Sequence, residues 1–111
     1  MASYVVEQKD KHSSIKLTGD LTAELVPGLQ AALKSTLEQG ATELLFDLQD
    51  TVMLDSSGMG LLIATSNSLS RVGGRIQVIN VSPDILQLLQ CMRLAARLNV
   101  TGYASKESLH G

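Results

Sequence analysis

Glu43-Leu44-Leu45-Phe46-Asp47-Leu48-Gln49-Asp50-Thr51-Val52-Met53-Leu54-Asp55-Ser56-Ser57-Gly58-Met59-Gly60-Leu61-Leu62 is the stretch on which the fold turns. Leu44 to Leu48 is nearly all apolar, the pattern of a central strand in a parallel sheet. A loop follows through Asp50 to Leu54. Residues Ser57 to Arg71 then read as a helix, with Leu61, Leu62, Thr65 and Leu69 on one stripe. Strand, loop and helix in that order predict an α/β unit whose site lies beyond the carboxyl end of the strand.

Toward the N-terminus, Tyr4 to Gln8 and Ser14 to Thr18 read as two strands of a hairpin around the polar turn Lys9 to Ser13, and Gly19-Asp20 ends the second. Leu25 or Val26, Leu29, Ala32 with Leu33, and Thr36 with Leu37 recur at helical spacing, with Glu24, Gln30, Lys34 and Glu38 on the wet face. Pro27 belongs in a first turn, which starts that helix near Leu25 or Val26, and Gly40 suits its C-terminal end. Toward the C-terminus, Gly73-Gly74 marks a turn, and Ile76, Val78 and Val81 outline another strand. Ser82-Pro83-Asp84 opens a helix with a cap, a proline and an acid. Ile85, Leu86, Leu88, Leu89 and Met92 are expected to carry it to the core, with Cys91 packed there as well. Leu98 to Thr101 reads as a last strand, and 104–111 as a short helix or fraying tail. Leu33 and Leu45 are both expected in the core. The whole is one α/β domain over 1–111.

Composition narrows the function. The chain has 111 residues, 44% of them hydrophobic, with no Trp, one Phe and two Tyr, so aliphatic side chains must fill the core. The formal charge is −2, and the Lys and Arg form no basic stripe, which argues against nucleic-acid binding and against anionic membranes. Scarce aromatics remove stacking platforms for single strands. Cys91, His12 and His110 are far apart in sequence and suggest no metal site. No apolar run approaches a membrane span and no signal peptide opens the chain, so a cytoplasmic, cofactor-free protein is expected.

Catalysis also finds little support. The nucleophile elbow Gly-x-Ser-x-Gly fails at Ser56, because Leu54 stands where the first glycine belongs. Ser13-Ser14-Ile15-Lys16 spells Ser-x-x-Lys on a strand, where the two do not share a face. No phosphate-binding Gly-Lys-Ser/Thr loop exists. A hydrolase is the weakest of the readings.

Asp55-Ser56-Ser57-Gly58-Met59-Gly60 carries the function. A helix N-terminus presents unpaired N–H groups and partial positive charge, so it accepts an anion, phosphate included. The two hydroxyls are capping candidates, or one is a phosphorylation target. Asp55 either caps the helix or orients Ser56. Gly58 and Gly60 would let another protein approach the backbone. From Thr51 to Ser70 the only charged residue is Asp55. The offset stripe Met59, Ile63, Ser66 and Ser70 is either a docking face or is covered by another part of the sheet.

Phe46-Asp47-Leu48, Val52 and Leu54-Asp55-Ser56-Ser57-Gly58-Met59-Gly60-Leu61-Leu62 together resemble the signature of the STAS family, whose best-known members are bacterial anti-sigma factor antagonists. Gly19-Asp20-Leu21 and the Gly73-Gly74 turn fit the same pattern, and the likeness spans about 4–103. The resemblance implies a mixed sheet of about four to five strands with about four helices, mostly on one face. It implies phosphorylation of Ser56, the first serine after the aspartate, and partner contacts through Asp55, Ser57, Gly58, Met59, Ile63 and Asp20. The implied partners are a GHKL-type serine kinase doubling as an anti-sigma factor and a PP2C-type phosphatase, with the chain itself a monomer or weak dimer. Competing roles within the family are a stressosome-like subunit and a subunit of a transporter-associated complex. Two departures are Thr22, where many members carry an acid after Gly-Glu-Leu, and a short C-terminal helix.

Overall fold

A computed structural model describes residues 3–102. Alternation of apolar and polar residues builds a five-stranded sheet in the order β1 (Ser3–Lys9), β2 (His12–Thr18), β3 (Glu43–Asp50), β4 (Arg75–Val81) and β5 (Val100–Gly102). β1 and β2 form the antiparallel hairpin, and β2 to β5 run parallel. Among the described residues there are three helices: α1 (Val26–Glu38), α2 (Ser56–Arg71) and α3 (Pro83–Cys91). The expected fourth falls on 104–111, outside the described residues.

The three helices cover one face of the sheet. Ile15 and Leu17, Leu44, Phe46 and Leu48, and Ile76 and Val78 point into them and are buried, together with Leu29 and Leu33 of α1, Leu61, Leu62 and Leu69 of α2, and Ile85 and Leu89 of α3. The intervening positions, among them Lys16, Leu45 and Gln77, lie on the uncovered face. Leu45 is therefore not a core residue. It shares a strand with buried Leu44 and Phe46, but the period of two sends it to the side that carries no helix among the described residues, where it is half-buried. β4 keeps Val81 in the core in spite of its odd spacing because Asn80 takes a positive φ of 59° and the register shifts there. The Asn80 amide then donates to Asp47 Oδ1 at 3.2 Å.

Local signals set the helix ends. Pro27 lies in the first turn of α1, and Ser82 caps α3 by accepting a hydrogen bond from the Ile85 N–H at 3.2 Å. All three C-termini close with the same pair of hydrogen bonds, a Schellman arrangement: Gly40 and Ala41 N–H reach Leu37 and Thr36, Gly73 and Gly74 reach Ser70 and Leu69, and Arg93 and Leu94 reach Gln90 and Leu89. In α3 this corrects two expectations. The left-handed residue is Arg93 (φ 60°), so the chain reverses just after Met92 and drops Leu94 into the place the helical stripe would have given Met92. Met92 and Cys91 are consequently exposed, not core.

Among the described residues one buried side-chain group is unsatisfied: Thr51 Oγ1 has no hydrogen-bond partner. Leaving a buried hydroxyl unpaired costs free energy. Thr51→Val keeps the shape and removes the hydroxyl, so it is expected to raise stability by ~1 kcal/mol. Urea unfolding checks this, and a lowered midpoint would show that the hydroxyl is satisfied in solution.

Candidate functional site

Parallel strands and the helices that follow them bring three helix N-termini to one end of the sheet. Two loops meet there, the one from Gly19 to Leu25 that leads into α1 and the one from Thr51 to Asp55 that leads into α2. They are laced together along their backbones. Gly19 N–H donates to Asp50 O at 3.1 Å, Leu21 N–H to Met53 O at 3.0 Å, and Asp55 N–H to Leu21 O at 3.3 Å. Leu21 and Leu54 form a parallel bridge and are both buried.

Two carboxylates reinforce the lacing from opposite sides. Asp20 Oδ1 accepts from the Val52 and Met53 N–H groups at 3.3 and 2.9 Å. Asp55 has extended backbone and is the N-cap of α2: its Oδ1 accepts from Gly58 N–H at 2.9 Å, while its Oδ2 accepts from Ala23 N–H at 3.0 Å. Of the two roles open to Asp55, the geometry supplies the cap. The carboxylates of Asp20 and Asp55 are thus both engaged with the chain's own backbone and hold the two loops in shape.

Ser56 is the first residue of α2 and is exposed. Ser57 is exposed as well, and because Asp55 takes the cap, Ser57 has no capping duty. Among the described residues neither hydroxyl makes a side-chain hydrogen bond. Gly58 differs from the expectation. It is buried, and a Cβ there would meet Leu21 O at 2.4 Å and the Leu21 and Leu54 side chains at 2.8 Å. Its lack of a side chain admits the chain's own loop and leaves no room for a partner's backbone. Gly60 has open space at its Cβ position. Of the two readings open to their stripe, docking face or covered face, Met59 and Ile63 fall between: they are half-buried and packed on the core.

Sequence reasoning missed the most exposed apolar pair at this end, Val52 and Met53, which are 79% and 58% exposed. The available signal was two large apolar residues in a loop with no helical or strand period to bury them. No helix of the described residues is long and apolar enough to cross a membrane, and no group of three or more His, Cys, Asp or Glu among them could hold a metal ion.

The stretch from Phe46 to Leu62 thus folds into a buried strand end, a loop laced to the one before α1, and a helix capped by Asp55 that opens on an exposed serine. The family model for "Mlab, STAS domain" matches residues 4–101, and the chain belongs to the STAS domain family. Among its relatives is the anti-sigma-B factor antagonist of Staphylococcus aureus, 26% identical over 92 residues that cover 83% of this chain and 85% of that one. The anti-sigma F factor antagonist of Lysinibacillus sphaericus is 31% identical over 77 residues, 68% of this chain and 66% of the other. The solved structure of the anti-sigma factor antagonist SpoIIAA in its unphosphorylated form superposes with a TM-score of 0.71 at 27% identity, covering 79% of this chain and 82% of that one. A putative antagonist from Thermotoga maritima shares the fold, with a TM-score of 0.83 at 16% identity over 96% and 92% of the two chains.

Proposed function

We propose that the chain is a phosphorylation-controlled interaction switch of the anti-sigma factor antagonist kind, acting in the cytoplasm without catalysis of its own. The observation that carries this reading is Ser56: an exposed, unbonded hydroxyl on the first residue of α2, directly after the capping Asp55. The names of the relatives, and a solved SpoIIAA in its unphosphorylated form, support it. Unmodified, the chain binds a GHKL-type serine kinase that doubles as an anti-sigma factor; phosphorylation of Ser56 releases it, and a PP2C-type phosphatase resets it.

The physics is local. A phosphate adds about −1.5 to −2 charge. At the N-terminus of α2 that charge gains ~0.3–1 kcal/mol from the helix dipole, so the fold survives. At a docking face the same charge must be desolvated beside Met59 and the exposed loop, which opposes binding. The modified protein is therefore expected to stay folded and to bind its kinase ~10-fold or more weakly than the unmodified one. Calorimetry on both forms, with mass spectrometry to place the phosphate, makes the test. Ser56→Ala should remain bound after exposure to kinase and ATP, and Ser57→Ala should still be phosphorylated. Equal affinity of the two forms, or phosphate on Ser57 alone, would overturn the reading.

A further inference from the structure

The fold keeps basic side chains away from one of its ends, while acids occur at both, Glu7, Asp10, Glu38 and Glu43 among them at the other. From Leu17 to Leu33 and from Ser35 to Ser70 the chain contains no Lys or Arg. Those segments include both loops of the Ser56 end, although Glu38 and Glu43 in the second run lie at the opposite end. Asp20, Glu24, Asp50, Asp55 and, on the first turn of α3, Asp84 lie at the Ser56 end, with no basic side chain among the described residues. Lys9, Lys11, Arg71, Arg75 and Arg93 lie instead at the opposite end, in the β1–β2 turn, the α2–β4 turn and the end of α3. Asp55 spends both oxygens and Asp20 its Oδ1 on backbone N–H groups, whereas Glu24, Asp50 and Asp84 are exposed, and the one ion pair among the described residues, His12–Glu43, is elsewhere.

Within that acidic end stand Val52 and Met53, two apolar side chains held in water at 79% and 58% exposure. They are not loosely presented. Both of their N–H groups are fixed on Asp20 Oδ1, and Met53 O is fixed by Leu21 N–H. An apolar pair on a braced loop loses little conformational entropy on docking, which is the property of an interface anchor.

Building on the reading of Ser56 as the switch, we infer that Val52 and Met53 are the anchor of its docking face, and that the partner is a protein surface offering an apolar socket bordered by Lys or Arg. The acidic border of Glu24, Asp50 and Asp84 steers that partner, and the apolar pair holds it. Steering governs association and weakens with salt; anchoring governs dissociation. Ser56, three residues after Met53, puts its phosphate next to the anchor.

Photo-crosslinking in the source cells tests this directly, with benzoylphenylalanine placed at position 53 and, as control, at position 72. Val72 is also apolar and 62% exposed, but sits at the C-terminal end of α2. The expected result is an adduct from position 53 and none from 72, with the crosslinked segment of the partner carrying Lys or Arg beside apolar residues. With that partner purified, Val52→Ser combined with Met53→Ser should speed dissociation ~10-fold, and Glu24→Lys with Asp84→Lys should slow association and flatten its salt dependence. Adducts at 72 as abundant as at 53, no adduct at 53, or an acidic partner segment would overturn the inference. An adduct at 53 that persists while Ser56 is never phosphorylated would instead retain the anchor and remove the switch.

Discussion

Gly58→Ala is expected to destabilise the domain by about 3 kcal/mol or more, while Gly60→Ala, two residues along the same helix, is expected to leave it unchanged or slightly more stable. On helix propensity alone both substitutions should help, by up to ~1 kcal/mol each. Surroundings decide between them. A methyl group at Gly58 would sit 2.4 Å from the Leu21 carbonyl oxygen and 2.8 Å from the Leu21 and Leu54 side chains. The Leu21 carbonyl cannot swing away, because it accepts the Asp55 N–H at 3.3 Å, and the Leu21 N–H is tied to Met53 O at 3.0 Å. Relief would require parting the two loops, with loss of the Leu21–Leu54 bridge and of the Asp55 contact to Ala23. At Gly60 nothing lies within 4 Å. Urea unfolding of the two variants gives the comparison. Equal midpoints would show that the loops yield cheaply, and the site would then be softer than its hydrogen bonds indicate.

Leu33→Ala is expected to cost about 2–5 kcal/mol, and Leu45→Ala less than ~1.5 kcal/mol. Leu33 is 3% exposed on the inner stripe of α1, among Leu29, Leu61 and the sheet, so truncation leaves a cavity. Leu45 stands on the uncovered face between Ser14 of β2 and Gln77 of β4, where water fills the space a lost side chain vacates. Chemically the substitutions are identical, so the difference isolates how the sheet is covered. A cost at Leu45 as large as at Leu33 would mean that something packs on that face in solution, a second copy of the chain being the simplest occupant.

Much of the architecture was legible in the residues because its signals are local. Period-two and helical apolar spacing located five strands and three helices. Pro27, Gly40, the Gly73-Gly74 turn and Ser82-Pro83-Asp84 located their ends, each acting within a few residues of itself. The site was legible as a place: an aspartate, two serines and a glycine between a buried strand and a helix fix the chemistry of a helix N-terminus wherever the rest of the chain lies.

Tertiary structure alone decided what those residues face. Leu44 and Leu45 are equivalent by composition, and only the side chosen by the helices makes one core and the other half-exposed. Cys91 and Met92 fit an apolar stripe, but the reversal at Arg93 hands the interior to Leu94. Gly58 and Gly60 read alike until Leu21, which comes from the loop before α1, takes the space beside one of them. The bracing of Val52 and Met53 by Asp20 joins residues 32 and 33 positions apart. A sequence specifies short-range periodicity and capping through neighbouring residues. Coverage, close approach and cross-loop hydrogen bonds depend on segments distant in the chain, whose positions are set only when the whole core has packed.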